Sequence, residues 1–186
     1  QAAETLPAQL DVPDVLAFLA DRLRVQLRTE GARHDVLAAV LGLGIDDDLV
    51  RLLARTNAVA DLLGTDDGAN LLAAYRRAAN ILRIEEKKDG PHDGAVDPRF
   101  LEAPEELALA QALERVEADV ARLLGHERFA PAMEALASLR PKLDAFFDKV
   151  TVNAERPELR RNRLRLLSRV RAAMHLAADF SRIEGQ

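Results

Sequence analysis

Apolar residues recur every three or four positions along most of this chain, which is the spacing of a helix with one buried face. No segment alternates apolar and polar residues with the period of two that a half-buried strand requires. The sequence therefore predicts an all-α fold, a bundle of about seven to eight helices. The predicted helices cover residues 13–31, 35–43, 46–64, 65–87, 104–125, 129–139, 141–150 and 157–180.

Capping residues, glycine and proline mark the helix ends. Thr65 is expected to cap the longest helix, and Gly64 to end the helix before it. We interpret the acidic run Asp46–Asp48 as a helix start rather than a metal site, because adjacent carboxylates on a helix point in different directions. Residues 88–103 hold two glycines and two prolines without periodicity, which predicts a long loop. The predicted organisation is one helical domain over 1–186, with a helical lead-in over 1–64 and a bundle over 65–186 that contains this loop.

Composition indicates a globular protein. Of 186 residues, 48% are hydrophobic and 31% are charged, which is too apolar a balance for a disordered chain. The chain has no cysteine, which excludes disulfide and thiol chemistry, and we expect a cytoplasmic location. No apolar run approaches the roughly 18 residues of a membrane span, and no signal peptide is recognisable. Because the chain begins with Gln1, we expect it to be a piece of a longer protein.

Positive charge is concentrated near the carboxyl end. The formal net charge is -5, yet the segment 155–171 holds seven arginines and only two glutamates, a local surplus of +5. We expect these arginines to form one solvent-facing cationic surface on which a polyanion could bind. A second positive stripe is predicted on the helix over 65–87, where Arg76, Asn80, Arg83 and Lys87 recur at helical spacing. An ordinary solvated helix face is the alternative interpretation of that stripe.

Two motifs give the chain a family resemblance. The stretch FFDKVTVNAERPELRRNRLRLLSRVR over 146–171 resembles the C-terminal signature of the β subunit of the two-subunit bacterial glycyl-tRNA synthetase. In that family, two aromatic residues and an aspartate lead into an arginine-x-asparagine-arginine-leucine helix. Those positions are Phe146, Phe147, Asp148, Arg160, Asn162, Arg163 and Leu164 here. The segments YRRAANILRIEEKK over 75–88 and FLADRLRVQLRTEGARHDVLAAVL over 18–41 are also similar to that family, so the resemblance spans nearly all of the chain.

The resemblance implies a fold, a ligand and partners. The C-terminal part of that β subunit is similar to the helical anticodon-binding domain of arginyl-tRNA synthetases. The implied ligand is the tRNA for glycine, contacted at the anticodon stem and loop. The implied partners are the α subunit and the rest of the β subunit. The resemblance assigns the chemistry to the α subunit, so we expect no catalytic residue and no cofactor in this fragment, whereas the whole enzyme would use ATP and Mg²⁺.

Arginine and asparagine are the residues expected to contact RNA. Arginine neutralises phosphates and stacks on unpaired bases, and asparagine can read a base edge. Structural roles compete with this interpretation, since Arg77 and Arg163 could form ion pairs between helices, and Asn80 and Asn162 could hold loops. The candidate tRNA-binding residues are Arg76, Arg77, Asn80, Arg83, Arg160, Arg161, Asn162 and Arg163.

No motif for catalysis or metal binding is recognisable. The sequence lacks a glycine-rich phosphate loop and an HExxH motif, and its serines lack a nucleophile turn. The pair His34–Asp35 has no further ligands at matching spacing, so Asp35 is interpreted as a helix N-terminal residue. One alternative function is a helical protein–protein interaction module without nucleic-acid binding, which the leucine and alanine content and the acidic net charge favour. A basic C-terminal helix lying on a membrane is a weaker alternative, because it lacks exposed bulky apolar residues.

Overall fold

The computed structural model describes residues 15, 18, 19, 21, 22, 25, 34–44 and 48–183. Across 34–44 and 48–183 the chain forms α-helices and two short 3₁₀ turns, and it has no strand there. The predicted all-α fold class is confirmed. The helices are α1 (His34–Leu41), α2 (Leu49–Leu63), α3 (Asp66–Asp89), α4 (Pro104–Gly125), α5 (Phe129–Ala137), α6 (Arg140–Lys149) and α7 (Pro157–His175). The 3₁₀ turns are Pro98–Phe100 and Phe180–Arg182.

The predicted helix caps are present where the structure describes them. The carboxylate of Asp48 accepts hydrogen bonds from the backbone N–H groups two and three residues later, at 2.9 and 3.1 Å. The hydroxyl of Thr65 caps α3 in the same manner, at 3.0 Å from the N–H of Gly68. Asp46 and Asp47 lie outside the described residues, as does most of the predicted helix over 13–31, whose six described residues are helical. Local side-chain chemistry thus sets where α2 and α3 begin.

The core forms where α3 packs against α7 and α2, and where α4 packs against α5, α6 and α7. Leucines make up most of the largest fully buried side chains, together with Phe146 and Phe180. The ring of Phe180 lies 5.9 Å from the ring of Tyr75, so the residues after α7 fold back onto α3. None of the described helices is long and apolar enough to cross a membrane.

The predicted end of the last helix, near Phe180, is wrong, because α7 ends at His175. Arg55 of α2 donates hydrogen bonds to the carbonyl oxygens of Leu176 and Ala177, the two residues that follow α7, at 2.5 and 2.8 Å. The backbone N–H of Asp179 donates to the carbonyl oxygen of Ala39 in α1, at 2.8 Å. These contacts hold the chain against α1 and α2 and replace the hydrogen bonds that a longer helix would make.

Gly68 lets the start of α3 pack closely against the end of α2. A Cβ at this position would lie 1.8 Å from the carbonyl oxygen of Leu62, so the helices would have to separate. We expect Gly68→Ala to lower the free energy of unfolding by about 3 kcal/mol in urea denaturation, as overpacking does. Gly64→Ala is the matched control, because its Cβ would approach no atom closer than 3.4 Å. Its effect should stay within about 0.5 kcal/mol. Equal destabilisation by both substitutions would contradict the close approach at Gly68.

Candidate nucleic-acid interface

The arginines of segment 155–171 do not form the continuous cationic surface that the sequence predicts. Most of their guanidinium groups contact carboxylates from α3, α4 and the loop between these helices. Within the described part of the chain, Arg161 and Arg165 are the two members of this set with no such carboxylate contact. The pairs are Arg156 with Glu102, Arg160 with Glu85 and Asp89, Arg163 with Glu106, Arg169 with Glu117 and Arg171 with Glu86, while Arg165 donates to the carbonyl oxygen of Ala95. The local charge surplus is therefore neutralised by acidic residues that are distant in the sequence.

Arg163 makes a buried ion pair. Its Nε lies 2.5 Å from Oε1 of Glu106, a carboxylate with no exposed surface. The other oxygen of Glu106 accepts the N–H of Ala103 at 2.7 Å, which fixes the start of α4. Arg163 also donates to the carbonyl oxygen of Thr151 at 2.9 Å. The ion-pair interpretation of Arg163 is confirmed, and this residue ties α7 to α4 and to the turn before α7.

Asn162 holds the long loop against α7. Its side chain is 1% exposed. Its Oδ1 accepts the N–H of Asp97 at 2.7 Å, and its Nδ2 donates to the carbonyl oxygen of the same residue at 3.0 Å. The loop-holding interpretation is confirmed, and the amide has almost no free surface to offer a base edge.

Arg160 joins α7 to the end of α3. Its two terminal nitrogens lie 2.5 Å from Oε2 of Glu85 and 2.6 Å from Oδ2 of Asp89. Glu85 is nearly buried and also accepts hydrogen bonds from Lys88 at 2.9 Å and from Asn153 at 3.3 Å. The hydrogen bond from Lys88, followed by that from Arg160, lowers the pKa of Glu85 to about 2. The carboxylate is therefore held in its charged form by the fold.

The lowered pKa of Glu85 makes stability depend on pH. A depressed pKa in the folded state stabilises the protein above the unfolded value near 4.5, and this contribution is lost as pH falls toward about 2. We expect Glu85→Gln to destabilise the chain at neutral pH, and the difference from wild type to shrink progressively between about pH 4.5 and pH 2. Urea denaturation across this range measures the difference. Glu134→Gln, an exposed change on α5, serves as control and should stay close to wild type throughout. A constant difference for Glu85→Gln over the range would contradict the prediction.

The outer face of α3 carries cations that are free of ion pairs. Arg77, Arg83 and Lys87 are exposed, and none of them lies within ion-pair distance of a carboxylate in the described part of the chain. Asn80 and Ile84 lie between them and are also exposed, Ile84 by 46%. These five residues recur at helical spacing and are called the α3 outer face below. Arg76, the fourth member of the predicted stripe, instead donates to the carbonyl oxygen of Ile183 at 2.9 Å.

Arg77 stacks on an aromatic ring. Its guanidinium carbon lies 4.3 Å from the ring centroid of Phe147, whose ring in turn contacts that of Phe146 at 5.7 Å. The interpretation of Arg77 as an interhelical ion pair is therefore wrong, and a cation–π contact takes its place. A cavity of about 380 Å³ borders Arg77, Phe147 and Asp148. The aromatic-aromatic-aspartate motif thus has two roles, because Phe146 fills the core while Phe147 positions Arg77 at the surface.

The structure divides the eight candidate residues into two groups. Four of them are exposed, and these are Arg77, Asn80, Arg83 and Arg161. The other four make structural contacts, and these are Arg76, Arg160, Asn162 and Arg163. The exposed Ile84 and the half-buried Phe147 adjoin the exposed group and were not among the candidates. The sequence signal for Ile84 is an isoleucine that falls outside the apolar stripe of α3.

The described residues contain no group of three or more histidine, aspartate or glutamate side chains that could hold a metal ion.

Comparison with known proteins identifies similar sequences. A family profile described as the DALR anticodon binding domain matches residues 71–184, which include most of α3 and all of α7. A glycine–tRNA ligase beta subunit of Rhodospirillum centenum is 59% identical over 174 residues, which is 92% of this chain and 24% of that protein. The corresponding subunit of Phenylobacterium zucineum is 53% identical over 97% of this chain and 27% of its own length. That of Paracoccus denitrificans is 48% identical over 94% of this chain and 26% of its own length. The chain spans about a quarter of the length of these curated relatives.

Proposed function

Because the chain belongs to the DALR anticodon-binding domain family, we propose that it binds the anticodon stem-loop of a tRNA. The family match over 71–184 is the observation that carries this proposal, since it covers both the α3 outer face and Arg161. The names of the relatives make glycine tRNA the proposed ligand.

The α3 outer face has the chemistry that such an RNA requires. Arg77, Arg83 and Lys87 can neutralise phosphates without first breaking an ion pair. Asn80 retains donors and an acceptor for a base edge, and the exposed side chain of Ile84 offers an apolar contact to an unstacked base. The structural arginines of α7 support this surface indirectly, because Arg160 and Arg171 fasten α7 to the last turns of α3.

In the whole ligase, this region would position the tRNA while the α subunit performs the glycylation with ATP and Mg²⁺. The α subunit and the rest of the β subunit are its proposed partners, and the cytoplasm its proposed location. The chain itself supplies RNA contacts and no catalytic group in this proposal.

Fluorescence anisotropy with a labelled RNA tests the proposal. The chain is titrated against the anticodon stem-loop of glycine tRNA and against a stem-loop of equal size with an unrelated loop sequence. We expect the chain to bind the glycine stem-loop at least about tenfold more tightly than the unrelated stem-loop, because one good base contact provides that much discrimination. With Arg161 included, four exposed cations predict a slope of log affinity against log salt near -3. Equal affinity for both RNAs would contradict recognition of the glycine anticodon stem-loop, and no binding to either RNA would favour the alternative of a helical protein-interaction module.

A further inference from the structure

A groove runs along α7 beside the loop that follows α3. Its first part is a cavity of about 420 Å³, where Arg165, Ser168 and Ala172 of α7 face His92 and Val96 of the loop. A neighbouring cavity of about 460 Å³ extends from Ser168 and Ala172 to His175 and Leu176. The two cavities have Ser168 and Ala172 in common in their linings, and together they are called the α7 groove below. The α3 outer face uses none of these residues.

The loop wall of the α7 groove is already held in place. Asn162 binds both backbone groups of Asp97, and Arg165 donates to the carbonyl oxygen of Ala95 at 3.1 Å. The guanidinium of Arg165 also lies directly over Gly94, where a Cβ would come within 2.8 Å of two of its nitrogens. A ligand entering the groove would therefore meet a preformed wall and would not have to order the loop.

The charges around the α7 groove nearly balance. Arg169 is neutralised by a bidentate ion pair with Glu117. Its Nε and Nη2 donate to Oε1 and Oε2 of that carboxylate, each at 2.8 Å. Arg165 shares the lining with the carboxylate of Asp93. A site for a bare phosphate would carry a clear positive surplus, which this lining lacks. Its apolar wall, hydroxyl group and flat guanidinium instead suit a planar, uncharged ring that forms hydrogen bonds.

Arg161 provides the link to a nucleic acid. It lies one turn before Arg165, at the four-residue spacing that places both side chains on the same side of α7. It is exposed, and no carboxylate in the described part of the chain pairs with it. A backbone phosphate held by Arg161 would place the attached base beside the groove.

We propose that the α7 groove takes one unpaired nucleobase of the bound RNA, stacked against Arg165 over Ala172, while Arg161 holds an adjoining phosphate. This inference rests on the proposed function, because the base belongs to the RNA that the α3 outer face binds. A free nucleotide presents the same planar ring, so the test separates the two sources.

Ala172→Trp tests the groove by filling it. Ala172 is exposed and small, so the tryptophan occupies the cavity without entering the core. We expect about tenfold weaker binding of the glycine anticodon stem-loop, the effect of losing one stacked base. Ala130→Trp is the matched control on α5, which packs against α2 and α4, and should bind like wild type. Circular dichroism checks that both variants keep their helix content.

An abasic scan, in which the bases of the RNA loop are removed one at a time, identifies the base that the groove takes. For wild type, one loop position should lose about tenfold in affinity when its base is removed. For Ala172→Trp that position should show no further loss, because the two changes remove the same contact. Arg165→Gln should give the same result and replaces Ala172→Trp if that variant loses helix content.

The possible results of these experiments distinguish failure of the groove proposal from failure of the proposed function. If the filled variants bind every RNA as wild type does, the groove takes no base, and the proposed function stands. If wild type binds glycine and unrelated stem-loops equally, the proposed function fails, and the inference with it. If adenosine or guanosine monophosphate binds wild type in calorimetry and Ala172→Trp abolishes only that binding, the groove is a free-nucleotide site and the inference is overturned.

Discussion

Replacing Arg163 by alanine is expected to lower the free energy of unfolding by about 3–5 kcal/mol, the cost of leaving a buried charge without its partner. The carboxylate left behind belongs to Glu106, which has no exposed surface. It cannot turn to water without giving up the N–H of Ala103, which fixes the start of α4. Urea denaturation at neutral pH, with the slope checked for a two-state transition, measures the loss.

Two further variants make the Arg163 result interpretable. Arg161→Ala removes the same group from an exposed position two residues earlier in α7 and should change stability by no more than about 0.5 kcal/mol. Adding Glu106→Gln to Arg163→Ala should recover more than half of the loss, because glutamine is uncharged and still accepts the N–H of Ala103. If Arg161→Ala and Arg163→Ala destabilise the chain equally, the buried pair does not hold α7 to α4.

Reversing two charges on the α3 outer face is expected to weaken binding of the glycine anticodon stem-loop by about a hundredfold. The change is Arg83→Glu together with Lys87→Glu, two exposed side chains without ion pairs in the described part of the chain. Each reversal removes a phosphate contact and adds a repulsive charge. Each position is therefore expected to weaken RNA binding roughly tenfold. The slope of log affinity against log salt should become shallower by about 2. Anisotropy titrations at several salt concentrations provide both values.

A matched charge change elsewhere controls for long-range electrostatics. Arg115→Glu with Arg128→Glu alters the net charge by the same amount at two exposed positions, on α4 and just after it. This control should bind RNA within about threefold of wild type, because distant surface charges are screened at physiological salt. An equal loss in both double variants would mean that the α3 outer face has no special part in binding.

The helices could be predicted from the sequence because their signals are local. Thr65, Asp48 and Pro104 lie at helix starts and act within a few residues, and the apolar spacing of each helix lies inside one short window. The end of α7 could not be predicted in this way. It depends on Arg55, which is more than a hundred residues away in the sequence.

The candidate site was only partly predictable, for the same physical reason. The arginine surplus in segment 155–171 is a property of a short window, whereas its neutralising carboxylates lie far outside that window. Arg169 and Glu117 are 52 residues apart, and Arg171 and Glu86 are 85 apart. Folding converts most of this arginine cluster into interhelical ion pairs. The positive stripe on α3 stays at the surface except for Arg76, because the acidic neighbours Glu85 and Glu86 turn inward to pair with α7.

Nuclear magnetic resonance of the arginine side-chain N–H groups, during titration with the glycine anticodon stem-loop, tests most directly where RNA lies on this chain. If RNA lies along the α3 outer face while the paired arginines hold the fold, the Nε–H signals of Arg77 and Arg83 shift on binding. The signals of Arg156 and Arg163 then keep their positions. Shifts confined to Arg156 and Arg163, with Arg77 and Arg83 unmoved, would contradict the assignment of the α3 outer face as the RNA-binding surface.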